Sequence, residues 1–337
     1  MSSLILPDST VAAQNLCDAS GRLDPRAVGW SPRPLVECAL PGNWGRRKRW
    51  NHWCITTPHW MLTLTLADLD YVSYGGAHFL DLDSGKLVSH TQRRPFGMGC
   101  HLPDNAMQSH AFNHNRLQLR ADDRGSNIRL TATAPRIGGQ PLQLALDIQR
   151  PAHLDSVNLV CAMGEKTFHA TSRQLGLPVS GNLQLGGQTY SCPPGQSFAS
   201  LDFGRGVWPL RTHWKRVVFS APGGIAGNFG SGWCDASGLS ENALWFGGEL
   251  LHLNEPVTIE QHPSGALAPW HLSCASEHVD LTFTPLQHHH ARPQVGPLFA
   301  DTRQWFGYFD GILRGPRGEK VPVARAYGWL GETRACW

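Results

Sequence analysis

From Met61 to Tyr71 the chain reads MLTLTLADLDY, with Leu62, Leu64 and Leu66 separated by Thr63 and Thr65. Successive side chains of an extended backbone point to opposite faces, so a period of two makes one face apolar and the other polar, as in a half-buried strand. The signal recurs. Phe79 to Asp83 and Lys86 to Thr91 flank an Asp-Ser-Gly turn, and Arg116 to Arg120 and Asn127 to Thr133 flank DDRGS, where Asp and Gly supply turn geometry. Gln143 to Gln149, Asn182 to Leu185, Val279 to Phe283, Gly307 to Leu313 and Val321 to Ala326 continue the series. With 36 Gly and 24 Pro punctuating these runs, the expected fold is all-β, a barrel or a large β-sandwich with few short helices.

At 337 residues the chain exceeds the ~250–300 at which a single core stops growing, so two domains are expected. Five of the 13 tryptophans lie between Trp30 and Trp60 and eight between Trp208 and Trp337. RRKRWNHW (Arg46 to Trp53) and WPLRTHWKR (Trp208 to Arg216) both interleave Trp, His and Arg, the texture of two related β units in tandem or of chance. Pro, Gly and polar residues gather between residues 150 and 180, in QRPAHLDS and GLPVSGN. The boundary is placed there, giving domains 1–165 and 166–337.

A hydrophobic fraction of 41% and a charged fraction of 16% describe a globular chain. Net charge +3, with no clustered basic face, argues against a nucleic-acid partner. The basic run RRKR at Arg46 to Arg49 reads as a solvated loop edge or as a device that steers an anionic ligand. Nine cysteines without a CxxC pair argue against zinc or redox motifs and fit free thiols in a reducing cytoplasm. The opening MSSLILPDST has neither a basic start nor a long apolar core, and no stretch approaches the ~20 apolar residues of a membrane span. His288, His289 and His290 alternate faces in an extended segment, a poor ligand set, so no metal is expected. Without GxSxG, HExxH, a P-loop or a placed GxGxxG, no cofactor is expected either.

Asp202 to Trp214, DFGRGVWPLRTHW, concentrates ionisable and aromatic side chains. Gly204, Gly206 and Pro209 predict an irregular strand-loop-strand passage there. Alternation sets Arg211 and His213 on one face and Thr212 and Trp214 on the other, so one of the two sets lines a cavity.

The whole chain resembles the domain of unknown function 2804 family. The residues that carry the resemblance are GWSPRP (Gly29 to Pro34), RRKRWNHW, LADLDY (Leu66 to Tyr71), GLPVSG (Gly176 to Gly181), LDFGRGVWP, NFGSG (Asn228 to Gly232), the pair Glu241 and Asn242, the pair Pro269 and Trp270, VDLTFTP, FGYFDG (Phe306 to Gly311) and a closing GxxGET. More distantly, SGNLQLGGQTY leading to Asp202 and Trp214 resembles the lipocalin-like superfamily of hydroxyneurosporene synthase, carotenoid hydratase and tocopherol cyclase. That resemblance implies two tandem lipocalin-like antiparallel β-barrels enclosing an apolar cavity.

Hydrating or cyclising an isoprenoid alkene starts with protonation to a cation, which calls for an acid and for aromatic faces. Glu241, with apolar neighbours, is the better proton donor if it points into an apolar cavity, and its alternative role is a strand-end or turn carboxylate. His213 can serve as acid or base. Asp202 is the third candidate, its alternative role being an ion pair with Arg205 or Arg211. Trp214, Arg211, Trp53, Asn228 and Asn242 are expected to meet the ligand, although Trp50 and Trp53 fall on opposite faces and at most one of them reaches it. The expected function is acid-base catalysis on a hydrophobic isoprenoid-like or polyketide-like molecule. The alternatives are a carrier of a hydrophobic ligand and a glycan-binding protein.

Overall fold

The computed structural model describes residues 14–337. The opening stretch Met1 to Thr10, read above for targeting, lies outside the described residues. Regular structure is almost all β, with short 3-10 turns at Pro25–Ala27, Pro222–Gly224 and Asp235–Ser237. The chain forms two compact units that divide between Trp208 and Pro209.

In the N-terminal unit the main antiparallel path runs through Leu87–Pro95, Val72–Asp81, Trp60–Asp68, Arg47–Thr56, Phe198–Val207, Thr167–Leu185, Gln140–Gln149, Asn127–Ile137, Leu117–Asp123, His110–His114 and Cys100–His101. The sheet curls on itself into a half-barrel. A Cβ on Gly75 would lie 2.4 Å from the Phe112 ring, on a strand far along the sheet order, and Trp53 Nε1 donates to His110 Nε2 at 2.8 Å across the same gap. The inner face is the alternating set expected of Leu62, Leu64 and Leu66, joined by Trp53, Ile55, Phe79, Phe112, Leu130 and Leu146 in one apolar core.

The C-terminal unit is ordered Glu249–His252, Ala243–Phe246, Ile225–Ser231, Arg211–Ala221, Lys320–Cys336, Leu298–Arg314, Val279–Ala291, Trp270–Ser273 and Thr258–Gln261. It curls too: Lys215 Nζ donates to the carbonyl of Ile259 on the far edge strand at 3.1 Å. Phe219, Phe229, Phe283, Phe309 and Leu330 fill its core, with the Phe283 and Phe309 ring centroids 4.6 Å apart.

Two glycine-rich stretches behave differently from the turn reading. GLPVSG lies inside the single strand Thr167–Leu185, where pairing shifts register between Gln174 and Leu177. Gly181 sits at φ 117°, where a Cβ would come 2.4 Å from the Ala145 carbonyl, so the glycine lets a long strand bend and touch its neighbour. Asp202 to Val207 likewise form the end of the strand Phe198–Val207, not a loop, and Arg211–Ala221 follows after a short link. The correction has a packing cause: these glycines make room for aromatic rings.

Candidate functional site

Across three adjacent strands of the N-terminal unit, register sets His52 beside Asp202 and Arg173, Trp50 beside Gly204 and Thr171, and Lys48 beside Gly206 and His169. Alternation turns Lys48, Trp50 and His52 away from the Trp53 and Ile55 core, so the sheet has one apolar and one polar face. The polar face is nonetheless buried. Lys48, His169, Arg173, Asp202 and Trp208 are each less than a tenth exposed, while Trp50 and His52 keep partial exposure.

The rings lock together over the glycines. A Cβ on Gly204 would lie 2.1 Å from Trp50 Cζ2, and one on Gly206 would lie 2.9 Å from Trp208 Nε1. Trp50 stacks on His169 at 5.2 Å between centroids, and Trp208 meets both rings edge-on. Trp50 Nε1 donates to Asp202 Oδ1 at 3.0 Å, and Arg173 forms an ion pair with the same carboxylate. Burial, reinforced by the Arg173 charge, holds the His169 imidazole well below its ordinary pKa. Burial first, then His78 and Arg173, brings His52 down to about 3, and its Nδ1 lies 2.7 Å from Thr65 Oγ1. Lys48 is brought down to about 8, because desolvation outweighs the pull of Asp70 and Asp68. Such an ammonium exchanges its proton close to neutrality.

The C-terminal unit has its own buried polar cluster. Glu241 is 2% exposed, and its Oε1 accepts from Trp233 Nε1 at 3.0 Å. Gly230 makes space for that carboxylate, since a Cβ there would stand 2.1 Å from Glu241 Oε1. Asn228 Nδ2 donates to the Glu241 carbonyl at 2.9 Å, Asn228 Oδ1 accepts from Arg216 Nη2 at 3.4 Å, and Asn242 Oδ1 accepts from the Gly230 amide at 2.8 Å. Trp214 packs against Trp233 at 5.5 Å and stacks with Trp337 at 6.3 Å.

The expected site residues are thus sorted by place. Glu241, Asn228, Asn242 and Trp214 come together in this cluster. Arg211 and His213 fall on the opposite face, the one that Val217 and Phe219 turn to the core, at the exposed end of the strand, where His213 Nε2 lies 2.8 Å from Glu332 Oε1. Asp202 pairs with Arg173, a residue not considered from the sequence, while Arg205 turns to the opposite face and donates to the Pro103 and Trp50 carbonyls. Trp53 is fully buried in the apolar core, on the side of its sheet opposite the polar face. The sequence reading missed Lys48, His52, His169 and Arg173. Lys48 was hidden inside RRKR, in which Arg47 and Arg49 pair with Asp70 and Asp68 while the residue between them turns to the opposite face. His288 stacks on Trp305 and His290 pairs with Asp301, and no group of three or more His, Cys, Asp or Glu among the described residues is placed to hold a metal.

A family model described as domain of unknown function (DUF2804) matches residues 8–337. The chain belongs to that family. This DUF2804 protein is similar in fold to an AttH-like protein from Nitrosomonas europaea, with a TM-score of 0.51 and 11% identity over 85% of this chain and 92% of that one. Kievitone hydratase from Nectria haematococca gives a TM-score of 0.48 and 12% identity over 86% and 88% of the two chains. None of the curated proteins compared with it is similar to this chain.

Proposed function

We propose that this DUF2804 protein is an enzyme that transfers protons to and from a hydrophobic small molecule in a hydration, cyclisation or isomerisation. The observation that carries the reading is the burial of ionisable groups on one face of each sheet: Lys48, His169, Arg173 and Asp202 in one unit, Arg216 and Glu241 in the other. Removing such groups from water costs stability, and sites of acid-base chemistry are where that cost is commonly retained. A carrier would instead present an apolar lining, and here the apolar faces are the packed cores.

In this reading Glu241 is the proton donor. Its acid form protonates an alkene or enol carbon, the faces of Trp214 and Trp233 shelter the developing cation, water adds, and the proton released by that water returns to the carboxylate. Asn228 and Asn242 hold the strand ends that carry Glu241. Asp202 serves as a positioning residue for Trp50, and His213 takes no part. The test begins with mass spectrometry of gently purified protein to identify a co-purifying molecule. Conversion of that molecule is then followed with wild type, Glu241→Gln and His213→Ala. Loss of conversion in Glu241→Gln alone supports the assignment; equal conversion by all three removes it.

A further inference from the structure

The large apolar side chains that stand exposed among the described residues of the N-terminal unit are Trp44, Phe96 and Met98, at 64%, 70% and 44%. They belong to two loops far apart in sequence that are tied to one turn. Gly45 donates its amide to Asp70 Oδ2 at 2.7 Å, Phe96 donates to the Tyr71 carbonyl at 3.1 Å, and Ser73 Oγ donates to the Met98 carbonyl at 2.8 Å. Gly97 sits so close that a Cβ would lie 2.9 Å from Asp68 Oδ2. The Asp68 to Ser73 turn therefore presents both tips together.

Phe96 is held at φ 52°, a left-handed conformation that a bulky residue adopts only at a cost. An exposed phenylalanine kept in that state gains nothing from the fold it decorates. Neither loop carries an acid, Asp68 and Asp70 are taken up by Arg49 and Arg47, and Arg93, exposed on the edge strand that leads into Phe96, adds positive charge beside the apolar tips.

We propose that these two loops dock the protein on an anionic lipid bilayer, with Trp44, Phe96 and Met98 entering the headgroup region and Arg93 meeting lipid phosphates. Area separates this occupant from a protein partner. Three such side chains present on the order of 400 Å², about half the ~800 Å² per partner of a stable protein interface. Reversible bilayer binding grows with the apolar area inserted and with attraction of basic residues to anionic lipid, the two features these loops combine. The inference rests on residues separate from the proposed catalytic cluster and stands or falls without it.

The test is co-sedimentation of the full chain with vesicles of phosphatidylcholine alone and of phosphatidylcholine mixed with phosphatidylglycerol. Wild type is expected to bind the anionic vesicles at least tenfold more tightly than the neutral ones. Trp44→Ser combined with Phe96→Ser should lower binding by about tenfold or more, and Arg93→Glu should lower it severalfold on anionic vesicles only. Because all three positions lie on exposed loop tips and the strand edge beside them, the unfolding midpoint of each variant should stay at the wild-type value, which separates lost docking from lost fold. The proposal is overturned by no binding of wild type, by equal binding to both vesicle types, by undiminished binding of the double variant, or by sedimentation of wild type without vesicles that the double variant abolishes.

Discussion

Gly204 lies directly beneath Trp50, so close that a single added carbon would sit 2.1 Å from the indole Cζ2. The two residues face each other on paired strands, and the missing side chain is what lets the indole lie flat, stack on His169 and reach Asp202. Gly204→Ala should therefore displace the ring and destabilise the protein by about 1–3 kcal/mol. Urea unfolding monitored by circular dichroism measures this. A midpoint equal to wild type would show that the strand absorbs the carbon without moving Trp50.

The pair of Asp202 with Arg173 is a buried ion pair whose carboxylate also accepts from an indole. Removing one partner leaves a buried charge without its counterpart, so Asp202→Asn should cost about 3–5 kcal/mol, while replacing both residues by apolar ones of similar size should cost much less. A double-mutant cycle by chemical denaturation reads the coupling directly. Additive losses would contradict the pairing.

Acid should destabilise the fold through its buried neutral histidines. Burial brings His110 down to about 4, below its ordinary 6.5, and His52 and His169 move the same way. Between the two values the unfolded chain binds a proton that the folded one refuses, so stability is full above pH 6.5 and falls as pH drops toward 4. His110 alone should cost about 2 kcal/mol at pH 5. Unfolding midpoints at pH 7.5 and 5 decide this, and no drop at pH 5 would contradict it.

Lys48 gives the opposite window. Its folded value of about 8 lies below the ordinary 10.5, so the buried ammonium opposes folding most strongly below pH 8 and the penalty fades as pH rises to 10.5. Lys48→Met should therefore be more favourable to stability, relative to wild type, at pH 7.5 than at pH 10, by about 2 kcal/mol. The same gap between variant and wild type at both values would show an ordinary lysine.

Sequence made the strands legible because alternation is local. Leu62, Leu64 and Leu66 declare their face within one segment, and the turns at Asp-Ser-Gly and DDRGS fall between paired strands as expected. Glycines were harder, since a residue that permits positive φ and one that admits a ring look alike in a string of letters. Gly204 and Gly206 were read as the first and act as the second. The polar face was least legible of all. Lys48 and Trp50 meet His169, Arg173 and Asp202 through strand pairing over more than a hundred residues, and nothing in RRKR marks its third residue as buried. Glu241 could be singled out because its apolar neighbours in sequence foretell its burial.

Proton donation from Glu241 to carbon is the central step of the proposed reaction, and isotope transfer reads it without an intermediary. The co-purifying molecule is incubated with the protein in deuterium oxide and the product is weighed by mass spectrometry. Wild type should place one deuterium on carbon per turnover, and Glu241→Gln should place none at a comparable time while still holding the molecule. Product without carbon-bound deuterium from wild type, or equal labelling by Glu241→Gln, would contradict the account.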